Sequence, residues 1–319
     1  MRSITLDQNL DSQKQNRTIT FPEKFPDKEA MLSILHKIIE NSWKIDMHKD
    51  QITNWLDNFN GRVYDAEDER RLALWLLCNF TFYSLEDVNH LCKTLFNKFI
   101  HDYVIRFNFS VDSIEKELEH ITFSSIGSAS ESGGMLLYHF RQEAKLPLER
   151  FCYPTEILSN APDTVVFIDD VTLSGDTGLR FFRKHLKDKK FKSIYYLTII
   201  SSREAISKLS AEGIIPIYCS LVDGRNKCFE ECSLMFSEYQ ELIGKAKEIS
   251  EIYGKSIVNK TSEALGYKNG GYCFGFYYNT PNNTLPIFWS NLNNWHPLFP
   301  RKEKIRNAKR LHFNARKYI

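Results

Sequence analysis

Residues 165–178 read VVFIDDVTLSGDTG, and few folds accept such a stretch. Its continuous apolar run suits a strand buried on both faces, the pattern of a parallel sheet. Two carboxylates follow where that strand ends, and a small polar loop then leads into the amphipathic segment LRFFRKHLK. In open α/β sheets, ligands bind at this carboxyl end of the strands. The loop can present backbone N–H groups and hydroxyls to a phosphate, and the helix start adds a favourable dipole. Gly175 permits a tight turn and a close backbone approach. Asp169 and Asp170, expected at a solvent-facing strand end, need hydroxyl donors, a basic partner or a metal.

The surrounding sequence extends the same pattern. HITFSSI (120–126) is β-rich and runs into GSASESGG (127–134) and then the helical MLLYHFRQEAK. SIYYLTIIS (193–201) is a further buried strand, REAISKLSAEG a helix ending at Gly213, and IIPIYCS a fourth strand. Alternation at this spacing predicts a parallel α/β sheet with right-handed crossovers. Residues 233–266 look helical, and GYCFGFYYNTPNNTLPIFW reads as two strands around a Thr280-Pro281-Asn282-Asn283 turn.

Ahead of the sheet, residues 1–27 are polar and read as a mobile arm. From Asp27 to about Asp102 the periodicity is helical, with Ala30, Leu32, Ile34, Leu35, Ile38 and Ile39 on one face. Ser84 before Leu85-Glu86-Asp87 is an expected N-cap. Three helices with short turns suit a winged-helix or similar bundle over 28–110, though no DNA-reading motif stands out. The expected order is therefore arm 1–27, all-helical domain 28–110, α/β domain 111–300 and tail 301–319. The 319 residues carry 42 Lys+Arg against 40 Asp+Glu, and 13% are aromatic. That balance excludes a disordered chain and a general polycation. The apolar stretch Leu72 to Tyr83 is broken by Asn79 and Thr81 and is shorter than the ~20 residues of a membrane span. With no apolar leader segment and an odd seven cysteines, a reducing, cytoplasmic setting is expected.

A strand ending in two acids also fits a Walker B element, but the required G-x-x-x-x-G-K-[ST] loop has no counterpart: no Lys follows Gly133. The stretch Asp169-Asp170-Val171-Thr172-Leu173-Ser174-Gly175-Asp176-Thr177 instead resembles, at every position, the phosphoribosyl pyrophosphate signature of type I phosphoribosyltransferases. The resemblance implies a type I phosphoribosyltransferase-like sheet. It also implies that Asp169 and Asp170 hold the ribose hydroxyls, and Mg²⁺ through them, while Thr172, Leu173, Ser174, Gly175, Asp176 and Thr177 cradle a 5-phosphate. In that family the first strand's loop binds pyrophosphate. Here it corresponds to Gly127, Ser128, Ala129, Ser130, Ser132 and Gly133, with Glu131 as an acidic departure and no Lys or Arg in the loop.

The layout further resembles the phosphoribosyltransferase-like effectors of bacterial conflict systems, helped by Tyr278-Asn279-Thr280-Pro281-Asn282-Asn283-Thr284-Leu285-Pro286-Ile287-Phe288-Trp289. This implies a role in antiviral defence. Asn279, Asn282 and Asn283 with Trp289 and Trp295 suit a hood over a base, since aromatic faces stack and amides read edges. A plain Asn/Pro turn accounts for them equally. Cys228 and Cys232 lie four apart on an expected helix without a second pair at metal spacing, so they read as ordinary thiols. His185 and His296 have no spaced partners. Residues 301–319 hold eight Lys/Arg and one acid, Glu303. That tail suits a nucleic acid, an acidic partner protein or a solvated helix face.

Two functions remain open at this point. One is transfer of phosphoribose to a base or nucleotide, with Mg²⁺ as cofactor. The other is a catalytically silent module that senses a nucleotide or assembles with a nucleic-acid or protein partner, including a second copy of itself. The acidic, Lys-free 127–134 loop favours the second, and the retained pair of carboxylates the first.

Overall fold

A computed structural model of the chain describes residues 17–126, 132–160, 162–186 and 190–301. Helices α1 (Lys28–Ile38), α2 (Lys49–Leu56) and α3 (Ala66–Cys78) come first, followed by the short strand β1 (Thr81–Tyr83) and the long helix α4 (Leu85–Phe107). Their starts are written locally. Asp27 accepts from Ala30 N–H at 2.8 Å, and Ser84 forms a reciprocal capping box with Asp87 as its sequence position predicts. Then come α5 (Ile114–Leu118), β2 (Ile121–Ser125), α6 (Ser132–Ala144), α7 (Pro154–Asn160), β3 (Thr164–Thr172), α8 (Asp176–His185), β4 (Ser193–Ser202), α9 (Arg203–Ala211) and β5 (Ile215–Val222). The chain continues through α10 (Ile243–Ser256), β6 (Phe274–Phe276) and the single turn α11 (Pro286–Trp289).

Strands β2, β3, β4 and β5 form one parallel sheet, as the apolar runs predict, and neighbour one another in chain order. Alternate residues of each strand feed different layers. Val166, Ile168, Tyr195 and Leu197 pack with α4 and α6, while Val165, Phe167 and Tyr196 pack with Leu179 and Phe182 of α8 and Leu209 of α9. The α4 residues Val88, Cys92, Leu95, Phe99 and Tyr103, spaced by three or four, supply a helical stripe to the first of these layers.

The N-terminal helices do not close a core by themselves. Trp43, Trp55, Leu72 and Leu77 share one apolar cluster with Ala246, Tyr253, Ile287, Phe288 and Trp295 from the far end of the chain. Buried Glu69 ties the two parts: it accepts from the N–H groups of Gly61, Val63 and Tyr64, and from the Tyr253 hydroxyl. The boundary expected near residue 110 therefore does not coincide with a core boundary, because α4 belongs to the sheet layer. Nor is the expected arm unattached throughout, since Ile19 and Phe25 are buried in the helical core.

Two expectations for the C-terminal third are corrected. The segment 271–289 is not a hairpin: β6 pairs in parallel with β1, and Pro286, favoured at a helix start, opens α11. The region 233–266 is helical only over α10, with short 3-10 turns around it. Since the only partner of β1 is β6, no winged-helix hairpin forms among the described residues. None of the described helices is long and apolar enough to cross a membrane.

Candidate functional site

β3 runs past the end of β2. The β2–β3 register stops at Ser125 opposite Ile168, whereas β3 stays paired with β4 as far as Thr172 opposite Ser201. Asp169 and Asp170 therefore lie beyond the last paired residue of β2, beside the entry to α6. Gly133 makes that close approach possible: a Cβ there would meet the Ile126 carbonyl oxygen at 3.2 Å and the Ile168 carbonyl oxygen at 3.6 Å. Of the expected pyrophosphate loop, Gly127, Ser128, Ala129 and Ser130 lie outside the described residues, as does Glu131. Ser132 opens α6 and Gly133 is buried.

The carboxylates are not at a solvent-facing end, because the strand carries on through Thr172 and the sheet layers enclose it. Asp170 is buried, and its Oδ1 accepts from Val171 N–H at 2.9 Å. Asp169 accepts from Asp170 N–H at 2.9 Å and from the Tyr196 hydroxyl at 2.8 Å. The residue keeps some exposed surface, yet its carboxyl sits among protein atoms. Burial, reinforced by the neighbouring Asp170 charge, holds its pKa well above the usual carboxylate range, with the Tyr196 bond opposing. Tyr196 is pushed up in turn, by burial first and then by the Asp169 charge.

Two further groups, from the C-terminal segment, feel the charge of these acids. The Tyr278 hydroxyl is shut off from solvent without a hydrogen-bond partner among the described residues. Its pKa is raised by burial and then by the charges of Asp170 and Asp169. Arg301, the last described residue, donates its N–H to the Trp289 carbonyl at 3.1 Å, and its guanidinium lies 5.7 Å from the Trp289 ring centroid. Burial lowers its pKa while the Asp170 and Glu263 charges oppose that shift.

The stretch after the acids is a short connection, since Thr172 is still strand and Asp176 already helix. Gly175 has φ 73°, and a Cβ there would lie 3.3 Å from Ala205 Cα at the start of α9. Ser202 stitches the connection to α9, donating to the Leu173 carbonyl at 2.5 Å and accepting from Ala205 N–H at 3.0 Å. Leu173 is a packing residue of the sheet layer, and Thr177 is exposed. Ser174 Oγ accepts from Asp176 N–H at 3.3 Å, and its carbonyl accepts from Lys208 Nζ at 3.2 Å. Asp176 Oδ2 meets Lys268 Nζ at 2.5 Å, and its Oδ1 is 3.7 Å from Lys208 Nζ. The Lys268 bond keeps the Asp176 carboxyl below its usual range.

The backbone of the expected hood segment is tied down locally. Phe276 and Asn279 exchange backbone hydrogen bonds, the Asn282 carbonyl accepts from Tyr267 N–H at 2.7 Å, and Trp289 Nε1 donates to the Thr284 carbonyl at 2.8 Å. Cys228 and Cys232 are not on a helix, and the Cys228 sulfur lies 3.1 Å from that of buried Cys273. His185 ends α8, and His296 N–H donates to Asn58 Oδ1. The sequence reading gave no part in this region to Tyr196, Lys208 or Lys268, which the structure brings beside Asp169 and Asp176. Only the Tyr-Tyr pair in a buried strand gave a signal, since one of two adjacent tyrosines must face each layer.

No group of three or more His, Cys, Asp or Glu among the described residues could enclose a metal ion. The donor set suits Mg²⁺ only in part: two adjacent carboxylates can complete the shell of a cation that a diphosphate brings with it.

The PRTase-CE family model matches residues 52–301. No curated protein matches the chain. The crystal structure of orotate phosphoribosyltransferase from Aeropyrum pernix shares 13% identity over 34% of this chain and 62% of that chain, with a TM-score of 0.25. This chain thus spans less than two thirds of that enzyme. The crystal structure of a hypothetical protein from Neisseria gonorrhoeae with bound ppGpp shares 15% identity over 45% of this chain and 84% of that chain, with a TM-score of 0.30.

Proposed function

The chain belongs to the PRTase-CE family, and from that premise we propose that it binds a 5-phosphorylated ribose ligand, phosphoribosyl pyrophosphate or a related nucleotide, at the end of β3. The observation that carries the reading is the way β3 outruns β2. It leaves the consecutive Asp169 and Asp170 beyond the last residue of β2 that pairs with β3, in the final turnless stretch of β3 before the Gly175 turn and the α8 N-terminus. Carboxylates accept from the ribose hydroxyls, and the amides of residues 173–177 with the α8 dipole hold the 5-phosphate. Lys208 and Lys268 supply positive charge there.

In phosphoribosyl transfer, the bond from ribose C1 to the pyrophosphate oxygen breaks, pyrophosphate leaves with that electron pair, and a base nitrogen forms the new bond to C1. No protein nucleophile is needed, so this chain's contribution is to hold the ribose and both phosphate ends still and to exclude water. Mg²⁺, when bound with its diphosphate, would neutralise leaving-group charge, with Asp169 and Asp170 as its protein oxygens. Calorimetric titration with phosphoribosyl pyrophosphate, with and without Mg²⁺, tests the reading, and a pyrophosphate-release assay over candidate bases tests turnover. Binding that is the same in wild type and in Asp169→Asn/Asp170→Asn would sink it.

A second reading, ligand sensing without turnover, is favoured by the Lys-free and acidic sequence 127–134. Binding without pyrophosphate release from any base distinguishes it. The resemblance to conflict-system effectors supports antiviral defence as the setting. Loss of protection against phage in the Asp169→Asn/Asp170→Asn strain, at unchanged protein level, is the expected result.

A further inference from the structure

We propose that the chain pairs two-fold symmetrically with a second copy of itself, through the outer face of α6 and the 148–156 segment beside it. This inference is independent of the ligand assigned to the end of β3. On α6, Leu137, Tyr138 and Arg141 line an open cleft of about 460 Å³, which Leu148, Tyr153 and Glu156 complete. The same helix buries Leu136 and Phe140 in the sheet layer, so α6 is apolar on two sides and covered on one.

Exposed apolar surface concentrates here. Tyr138, Leu148 and Tyr153 are 56%, 68% and 61% exposed, and Met135, one turn before Tyr138, is 47% exposed. The other large apolar residues in contact with solvent stand apart: Ile34 on α1, Leu85 and Ile105 at opposite ends of α4, Leu234 in a 3-10 turn and Ile252 on α10. Single exposed side chains need no partner, whereas a cluster around a groove marks a contact surface. The lining holds two tyrosines, an arginine and no lysine, which is the composition of interfaces. Its shape is also set in advance. Phe151 stacks on Phe123 with centroids 5.3 Å apart, Cys152 N–H donates to the Phe123 carbonyl at 3.1 Å, and Ser124 Oγ donates to the Cys152 carbonyl at 2.8 Å.

Two features single out a second copy as the occupant. The patch carries both a hollow and, at its rim, the largely exposed Leu148 and Tyr153, so each copy offers what the other receives. It also carries charges of both signs that do not pair with each other inside the chain. The Arg141 guanidinium lies 5.8 Å from the Tyr138 ring centroid and meets no acid among the described residues. Glu156 Oε2 accepts from Tyr153 N–H at 2.9 Å, which leaves Oε1 for a guanidinium. Under two-fold symmetry Arg141 of each copy meets Glu156 of the other, twice per dimer. A small anionic ligand would satisfy Arg141 and be repelled by Glu156.

Sedimentation velocity of the full chain over a wide concentration range tests the proposal, with thermal melts of each protein as the control for folding. Wild type should move from one chain mass to two as concentration rises. Arg141→Glu and Glu156→Arg should each weaken association roughly tenfold or more, because each sets like charges against one another twice. The charge swap Arg141→Glu/Glu156→Arg should restore association, since the two sites are coupled. Leu148→Ser, at a position too exposed to hold the fold, should weaken association and leave the melting temperature of the monomer unchanged. A wild type that stays at one chain mass throughout overturns the proposal. So does a dimer that none of the single variants weakens, which would place the interface elsewhere. A swap that stays as weak as its single variants overturns it too, because Arg141 would then face something other than Glu156. An assembly that keeps growing beyond two chains overturns the two-fold arrangement.

Discussion

Tyr196 on β4 donates its hydroxyl to Asp169 Oδ2 on β3 at 2.8 Å, so the strand that neighbours the acid also restrains it. The bond favours the charged carboxylate, but burial and the adjacent Asp170 outweigh it, and the Asp169 pKa stays raised.

That balance fixes a sign. A carboxyl whose folded pKa exceeds its unfolded value of about 4 makes the native state bind more protons, so stability falls as pH rises through the interval between the two. Asp169→Asn keeps an oxygen for Asp170 N–H and an amide for Tyr196 but carries no charge. We expect it to melt higher than wild type at pH 7, by roughly 2–4 °C for each 1 kcal/mol relieved. The advantage should vanish in acid, where wild-type Asp169 is neutral in both states. Ligand affinity should fall in the same variant. A lower melting temperature at pH 7 would mean that burial does not strain this carboxyl.

Gly175 is the second lever. Its φ of 73° costs an L-residue roughly 1–2 kcal/mol, and a Cβ would press on Ala205 at 3.3 Å. Gly175→Ala should therefore lower the melting temperature and weaken binding of inorganic phosphate together. Thermal melts paired with phosphate titration check this, and retained phosphate affinity in a destabilised variant would make the turn purely structural.

Local chemistry was legible in the sequence, and long-range assembly was not. The four strands β2–β5 announce themselves as apolar runs, and the Asp-Asp loop is contiguous, so each could be read from neighbours in the chain. β6 could not, because its partner β1 lies far upstream, and Asn/Pro punctuation on its own suggested a hairpin. Lys268 reaches Asp176 from 92 residues away on a turn with no periodicity to read. The helical module misled for the same reason: its three-to-four spacing showed which faces are apolar, not that residues of α10 and α11 would cover them.

Glu69 makes that shared core testable. Glu69→Ala would take the acceptor from the N–H groups of Gly61, Val63 and Tyr64, at on the order of 1–3 kcal/mol for each one left buried and unpaired, while the Tyr253 hydroxyl keeps Asn60 Oδ1 at 3.3 Å. The variant should unfold far below wild type. A fragment of residues 17–110, lacking its partners from 228–299, should show no cooperative melt by circular dichroism. A fragment that melts sharply would restore a boundary near residue 110.

The basic tail separates nucleic-acid binding from ribose-phosphate binding. Deleting residues 302–319 removes most of its Lys/Arg while keeping Arg301 beside Trp289. If the tail binds duplex DNA, the slope of log K against log salt should drop by roughly 0.9 for each DNA phosphate that the shortened chain no longer neutralises. Ribose 5-phosphate affinity should persist. Titration of both proteins with both ligands decides, and an unchanged slope would make the tail a solvated face.

Asp176 carries the most unusual expectation, a gain on removing a charge from the site. Its carboxylate stands at the first residue of α8, where a bound phosphate would also sit, and it draws Lys268 and Lys208 onto itself. Like charges at that distance repel, so a phosphate must enter against Asp176 or take over its lysines. Asp176→Asn removes the repulsion and frees both ammonium groups for the ligand. All three side chains are substantially exposed, so the effect should be that of surface charges, a roughly two- to fivefold rise in phosphate affinity at low salt. Near 1 M salt, where the screening length is about 3 Å, the gain should largely disappear. Lys268→Gln should shift affinity the opposite way by a similar factor. Weaker phosphate binding by Asp176→Asn would show that the carboxylate orders the 173–177 turn through Ser174 and Lys208 more than it repels the ligand.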